Sequence, residues 1–263
     1  MTEAKSLFTD GAAYDKLARR FTRPAGEAFL DWLALPANLE WIDAGCGTGA
    51  FTQLVLDRCA PKRVSAFDPS PEQIAYARTT PAAKRIDFQV GDAQAIPFGD
   101  AAFDAGTMAL VISFVPDPDK SVAELRRVTR PGGMIGAYMW DFLNKGSPRH
   151  RLGEAVKRMG VAVRQLPGYA HSRMEAMEGF FKSAGLADVA TRVIEFEVTY
   201  DNFDEYWSQQ TGLASGAAEN ISSMSAADIE RLKADLRANL PKDKAGRIAF
   251  RVKANAVKGR VPA

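Results

Sequence analysis

The chain is 263 residues long, enough for one large domain with insertions or two small ones at about 150 residues per domain. With 46% apolar and 25% charged residues it has the composition of an ordinary globular protein, which argues against a disordered, collagen-like or coiled-coil chain. A balance of 34 basic and 32 acidic residues leaves a net charge of +2 with no long run of one sign, so neither nucleic acid nor a membrane surface is the expected partner. Two cysteines (Cys46, Cys59) and two histidines (His150, His171) are too scattered for a zinc site or a disulfide framework, and no metal is expected. The longest apolar stretch, 101–115, is interrupted by Asp104, so no membrane span is expected. The start lacks a basic segment followed by an apolar one, which predicts no secretory signal and a cytoplasmic location.

Residues 1–37 are expected to form a helical cover across the carboxyl edge of a sheet. From Asn38 to Trp140 short apolar runs alternate with helical ones, the pattern of an α/β protein with a parallel sheet. A first strand over Leu39–Ala44 enters a glycine-rich turn and a helix over Phe51–Cys59. A second strand, Arg63–Phe67, ends at Asp68, and Pro69-Ser70-Pro71 opens a helix over Glu72–Thr79. A third strand, Ile86–Val90, ends at Gly91-Asp92. A fourth is expected over Phe103–Phe114, then a helix over Lys120–Val128 and a fifth strand over Met134–Trp140. Beyond it, helices are expected at Glu154–Met159 and Glu175–Ala184, and alternating strands at Val189–Tyr200 and Arg247–Val257. Residues 201–244, with Phe203, Tyr206 and Trp207 near their start, read as a helical insertion.

The strongest local signal is Asp43-Ala44-Gly45-Cys46-Gly47-Thr48-Gly49 between a strand and a helix, where glycines let the backbone turn sharply and approach a ligand. Alone it is ambiguous, because Gly45, Gly47 and Ala50 also satisfy the dinucleotide pattern and Asp68 stands near the ribose-binding spacing. Three acids at successive strand ends separate the alternatives. Asp43 would repel a pyrophosphate and attract a cationic amino-acid moiety. Asp68 suits two ribose hydroxyls, and Asp92 could accept from an exocyclic amine. The row favours a ligand carrying positive charge, a ribose and an adenine.

With these motifs the chain resembles the class I S-adenosylmethionine-dependent methyltransferases, the small-molecule group with the type 11 core. The resemblance covers Asn38 to Met139: Ile42–Gly49, Phe67-Asp68-Pro69-Ser70, Gly91-Asp92-Ala93, Phe98 with Phe103-Asp104, and Arg127–Gly133. It implies a Rossmann-like α/β fold, with a seven-stranded, mostly parallel sheet, helices on both faces and an antiparallel last strand. It implies S-adenosyl-L-methionine as cofactor, with Gly45, Cys46, Gly47 and Gly49 lining it, Asp43 beside it, Asp68 and Pro69 at the ribose, and Asp92 and Ala93 at the adenine. The segment Met108-Ala109-Leu110 is expected under the methionine portion, with Tyr14 covering the ligand. The implied reaction is methyl transfer to a small-molecule acceptor by in-line displacement. The alternatives are a protein that binds the cofactor without turnover, or an NAD(P)-dependent oxidoreductase.

One domain is then expected, with 1–37 as cover, 38–140 binding the cofactor, and 141–263 supplying the acceptor side, including a lid at about 201–244. Trp140, Tyr206 and Trp207 are the candidate acceptor-binding residues. Tyr14, His150, His171 and Asp141 are the candidates for proton removal, among which the sequence does not choose. Neither the acceptor nor the oligomeric state can be read from it.

Overall fold

The computed structural model describes residues 18–163, 165–211 and 220–263. Seven strands form one sheet: β1 (Glu40–Ala44), β2 (Arg63–Asp68), β3 (Ile86–Val90), β4 (Phe103–Ala109), β5 (Thr129–Trp140), β6 (Ala187–Tyr200) and β7 (Ile248–Arg260). Their order across the sheet is β3-β2-β1-β4-β5-β7-β6. The first five are mutually parallel, and β7 runs antiparallel to both β5 and β6. This is the expected Rossmann-like α/β architecture, with the last strand of the chain reversed. Between β1 and β4 the strand order changes direction, which is where open sheets of this kind leave a crevice at their carboxyl edge.

Helices cover both faces, so the central strands are apolar almost throughout. On one face α1 (Arg23–Leu33), α2 (Ala50–Cys59) and α3 (Pro71–Ala77) bury Phe29, Leu33, Leu54 and Ile74 against Trp41, Val64, Ala66 and Tyr138. On the other, α4 (Pro118–Val128) and α6 (Met174–Ser183) bury Val122, Leu125, Met177 and Phe181 against Ile42, Phe67, Ile135 and Met139. The alternation expected of Tyr138 and Met139 holds, one on each face. The amino edge is tied by ions: Arg130 bridges Glu40 and Asp104, and Asp104 also accepts from the Glu40 amide. Arg130 and Lys62 hold the Glu40 carboxyl down at about 2.

Two expectations need correction. The described part of the cover is not laid across the carboxyl edge: α1 lies on the sheet face, so close that a Cβ on Gly136 would stand 2.8 Å from Phe29. The fourth strand stops at Ala109 instead of Phe114, because Leu110 adopts a left-handed φ of 63° and breaks the ladder.

The β6–β7 hairpin outruns the rest of the sheet. Trp140, the last residue of β5, stands opposite Ala254, and the pairs from Glu195–Lys253 to Tyr200–Ile248 continue past it. At about 3.3 Å per residue these six pairs extend roughly 20 Å beyond the carboxyl edge. Three helices pack on the extension: α5 (His150–Arg158), α7 (Phe203–Thr211) and α8 (Ala226–Asn239). Residues 201–244 thus include helices as expected, built on a strand platform beside the crevice.

Candidate functional site at the carboxyl edge

The first strand ends in a turn that only glycine can make. Gly45 has φ 76°, and a Cβ there would also fall 2.6 Å from a methyl of Val111 in the segment after β4. Gly47 has φ 55° but meets nothing within 4 Å of such a Cβ, so the space over it is open. The amides of this turn are already engaged. Those of Gly45 and Cys46 donate to the Phe67 carbonyl, that of Gly49 to the Cys46 carbonyl, and that of Gly47 to the Asp68 carboxylate. The turn therefore offers a ligand close approach more than free donors, which differs from the pyrophosphate cradle of a dinucleotide site.

Asp43 is 2% exposed, and its carboxylate accepts from the hydroxyls of Thr52 at 2.7 Å and Thr107 at 3.5 Å. Burial, with the Asp68 charge nearby, pushes its pKa up to about 7 despite those bonds. Asp68 is half-buried and accepts amide bonds from Gly47 and Ser70, both 2.9 Å. Desolvation raises its pKa too, partly offset by these two bonds. Asp92 is exposed and closes a turn on the amide of Gln94 at 2.8 Å, while Ala93 behind it is buried. Arg127 fixes this loop by donating to the carbonyls of Ile96 and Phe98, and Glu124 takes the Ile96 amide.

None of Asp43, Asp68 and Asp92 has an ion-pair partner among the described residues. Two half-desolvated or buried carboxyls beside an open glycine turn lack a cation, and a sulfonium ligand with an ammonium group and ribose hydroxyls supplies what is missing. The residues present therefore fit S-adenosylmethionine. Two residues that sequence reasoning passed over also lie on this rim. Thr48 in the turn and Gln73 in α3 each bury a side-chain oxygen without a partner, a signal visible only in three dimensions.

Other expected residues fall differently. Met108 is fully buried among Ile42, Ala44 and Phe67, so its side chain cannot lie against a ligand; Ala109 and Leu110 after it are the partly exposed ones. Cys46 is buried, and desolvation raises its thiol pKa well above the ordinary value. Pro69 is exposed next to Asp68. Tyr14 lies outside the described residues. Asp141 is buried and spends both oxygens on the Asn144 side chain, shaping the turn after β5. His150 is half-buried with its pKa lowered by desolvation, which leaves it neutral near pH 7. His171 stacks edge-on against Phe180 with Nδ1 buried and unpartnered.

On the hairpin side, Trp140 packs against Phe196 at 6.4 Å. Tyr206 is wholly buried against Tyr200 and Phe250, with no hydrogen-bond partner for its hydroxyl. Trp207 is partly exposed, stacked on Phe203 with Lys233 over its ring. Among the described residues no cluster of His, Cys, Asp and Glu could hold a metal, and no helix is long and apolar enough to cross a membrane.

Comparison with known proteins agrees with this geometry. Residues 42–136 match the methyltransferase domain family. The malonyl-(acyl-carrier protein) O-methyltransferase of Serratia marcescens is 34% identical over 166 residues, 63% of this chain and 59% of its own length. The ubiquinone/menaquinone biosynthesis C-methyltransferase of Roseobacter denitrificans is 33% identical over 147 residues, 52% of this chain and 58% of its own length. The chain thus spans less than two thirds of the length of these relatives. A phosphoethanolamine N-methyltransferase of Haemonchus contortus, solved with S-adenosyl-L-methionine, shares the fold with a TM-score of 0.56 at 18% identity, over 95% of this chain and 56% of that one. Residues 42–136 are thus similar to the methyltransferase domain family, and the fold is the one shared by class I S-adenosylmethionine-dependent methyltransferases.

Proposed function

We propose that the chain is an enzyme that transfers a methyl group from S-adenosyl-L-methionine to a small-molecule acceptor. The observation that carries this reading is the row of acids without a cation among the described residues, Asp43, Asp68 and Asp92, at the carboxyl edge beside the open Gly47 turn. In it, Asp68 takes the ribose hydroxyls with the oxygen lone pairs left by Gly47 and Ser70. Asp92 and Ala93 hold the adenine on a loop braced by Arg127. Gly45, Cys46, Gly47 and Gly49 let the ligand approach the backbone, while Asp43 sets a negative potential beneath it. Residues 38–140 are the cofactor half, and residues 141–263 the acceptor half, with 201–244 as its lid.

Bound S-adenosylmethionine supplies an already activated methyl on a cationic sulfur. The chain's task is then to align an acceptor and exclude water, and such orientation can contribute roughly 7–11 kcal/mol without a fixed catalytic triad. Trp140 and Trp207 are the side chains we assign to the acceptor wall. Of the candidates for taking a proton, Asp141 is committed to Asn144, whereas His150 is neutral and able to accept. The relatives' names span O-, C- and N-acceptors, so the shared cofactor half does not itself select one.

The test is transfer of label from methyl-labelled S-adenosylmethionine to a metabolite panel that includes carboxylic acids, quinols and amines. We expect labelled product with at least one acceptor, abolished in Asp68→Ala. Tight cofactor binding with no product from any acceptor class would replace the enzyme reading by that of a cofactor-binding protein.

A further inference from the structure

Arg151 is a half-buried guanidinium without a counter-ion among the described residues. It stands in the first turn of α5 with its guanidinium carbon 4.8 Å from the centroid of the Phe250 ring. Phe250 is central to the aromatic core of the hairpin extension, stacked on Tyr200 at 6.0 Å and edge-on to Tyr206 at 6.4 Å. No hydrogen bond or ion pair to Arg151 exists among the described residues. The contrast with Arg20 on the same core is informative: Arg20 covers the Tyr200 ring at 4.3 Å, but it also pairs with Glu205 and donates to the Thr199 carbonyl. Glu154 on the same helix pairs with Lys157, and Glu205 on this core with Arg20.

A second group beside it also lacks a partner. Tyr206 is fully buried, and its hydroxyl has neither donor nor acceptor. The hydroxyl and the guanidinium lie close enough to influence each other electrostatically but do not hydrogen bond. Desolvation lowers the Arg151 pKa, the mark of a cation held partly out of water without compensation. A ring face under a guanidinium leaves the edge of its donor fork open, and that edge fits the two oxygens of a carboxylate.

The geometry points to an acceptor-side site in which the Arg151 fork and the Tyr206 hydroxyl together bind a carboxylate on the methyl acceptor, against the Phe250 and Tyr200 rings. One guanidinium balances one negative charge, which favours a monoanionic carboxylate over a doubly charged phosphate monoester. Phe250 lies four residues along β7 from Ala254, the partner of Trp140 at the sheet edge, so the site stands about 13 Å beyond that edge. An acceptor anchored there needs a chain or ring between its carboxylate and the crevice. The naming of this ligand as the methyl acceptor rests on the transferase reading; the anion site itself does not.

Ligand-observed NMR on the full chain saturated with S-adenosylhomocysteine tests this, using matched carboxylates and carboxamides (butanoate to octanoate, benzoate and 3-phenylpropanoate). We expect at least one pair to bind with a fivefold or greater preference for the carboxylate, lost in Arg151→Gln and reduced in Tyr206→Phe, while S-adenosylhomocysteine affinity stays within twofold. Arg151→Lys, which keeps the charge and loses the fork, guards against a folding defect and should retain part of the preference. Absence of any carboxylate preference in the wild type, or its persistence in Arg151→Gln, overturns the site. Retained preference in a protein that binds no S-adenosylhomocysteine would leave the anion site standing and remove the transferase reading instead.

Discussion

Asp43 carries the clearest consequence at the scale of a residue. Its carboxyl sits near 7 in the folded protein against an ordinary 3.8 because burial disfavours its charge. Between those values the folded chain holds a proton that the unfolded chain has released. This group's contribution to stability is therefore present in acid and lost as pH rises toward 7. Asp43→Asn removes that loss, so its ligand-free melting temperature at pH 8 should exceed the wild type's by at least about 3 °C, with the gain shrinking at pH 5. The same charge attracts a cationic ligand: wild-type affinity for S-adenosylmethionine should tighten as pH rises through 7, and the Asn variant should be weaker and flatter. Calorimetry and thermal melts over pH 5–8 check both, and equal pH profiles for the two proteins would refute the assignment. Gly45→Ala tests the turn next to it, since φ 76° and the 2.6 Å approach of Val111 both oppose a methyl group there. A stability loss of roughly 1–3 kcal/mol is expected, and cofactor affinity should fall more than tenfold as Val111 is displaced.

Among elements, the loop from Gly91 to Asp100 shows how a site is positioned from a distance. Asp92 makes only local bonds, and the loop is held by α4, where Arg127 reaches Ile96, Phe98, Glu124 and Asp100. Arg127→Met should lower S-adenosylhomocysteine affinity about tenfold and increase amide hydrogen exchange over 91–100, while the sheet keeps its protection. Unchanged exchange in that loop would show that Arg127 does not brace it. The motif Arg127–Gly133 was legible in sequence, but its job was not, because the contacts run between residues about 30 positions apart. The same limit applies elsewhere. The apolar run from Phe103 to Phe114 does not announce that Leu110 turns left-handed and ends β4 at Ala109. Residues 1–37 read as a helical cover across the carboxyl edge, whereas Ala25, Phe29, Leu30 and Leu33 of α1 are buried on the sheet face. Periodicity and glycine spacing are local and readable, whereas the partners of a face are not.

For the whole molecule, the arrangement is a cofactor sheet with an overhang. Seven strands share one sheet, yet only the β6–β7 hairpin extends past the carboxyl edge, and it carries α5, α7 and α8 to the side of the crevice. The proposed cofactor half was legible because its acids and glycines are tied to strand ends. The acceptor half was not, since Tyr206 reads in sequence as a candidate acceptor-binding aromatic and is fully buried, and nothing in the sequence marks Arg151 as lacking a counter-ion among the described residues. What the whole account depends on is the identity of the ligand in the crevice. Calorimetric titration of the full chain with S-adenosylhomocysteine and, separately, with NADH is the direct measurement. Loss of the Asp68 carboxylate removes charge-assisted bonds worth about 1.5–3 kcal/mol each. S-adenosylhomocysteine should therefore bind the wild type, bind Asp68→Ala at least tenfold more weakly, and NADH should not bind; binding of NADH without S-adenosylhomocysteine would contradict the account.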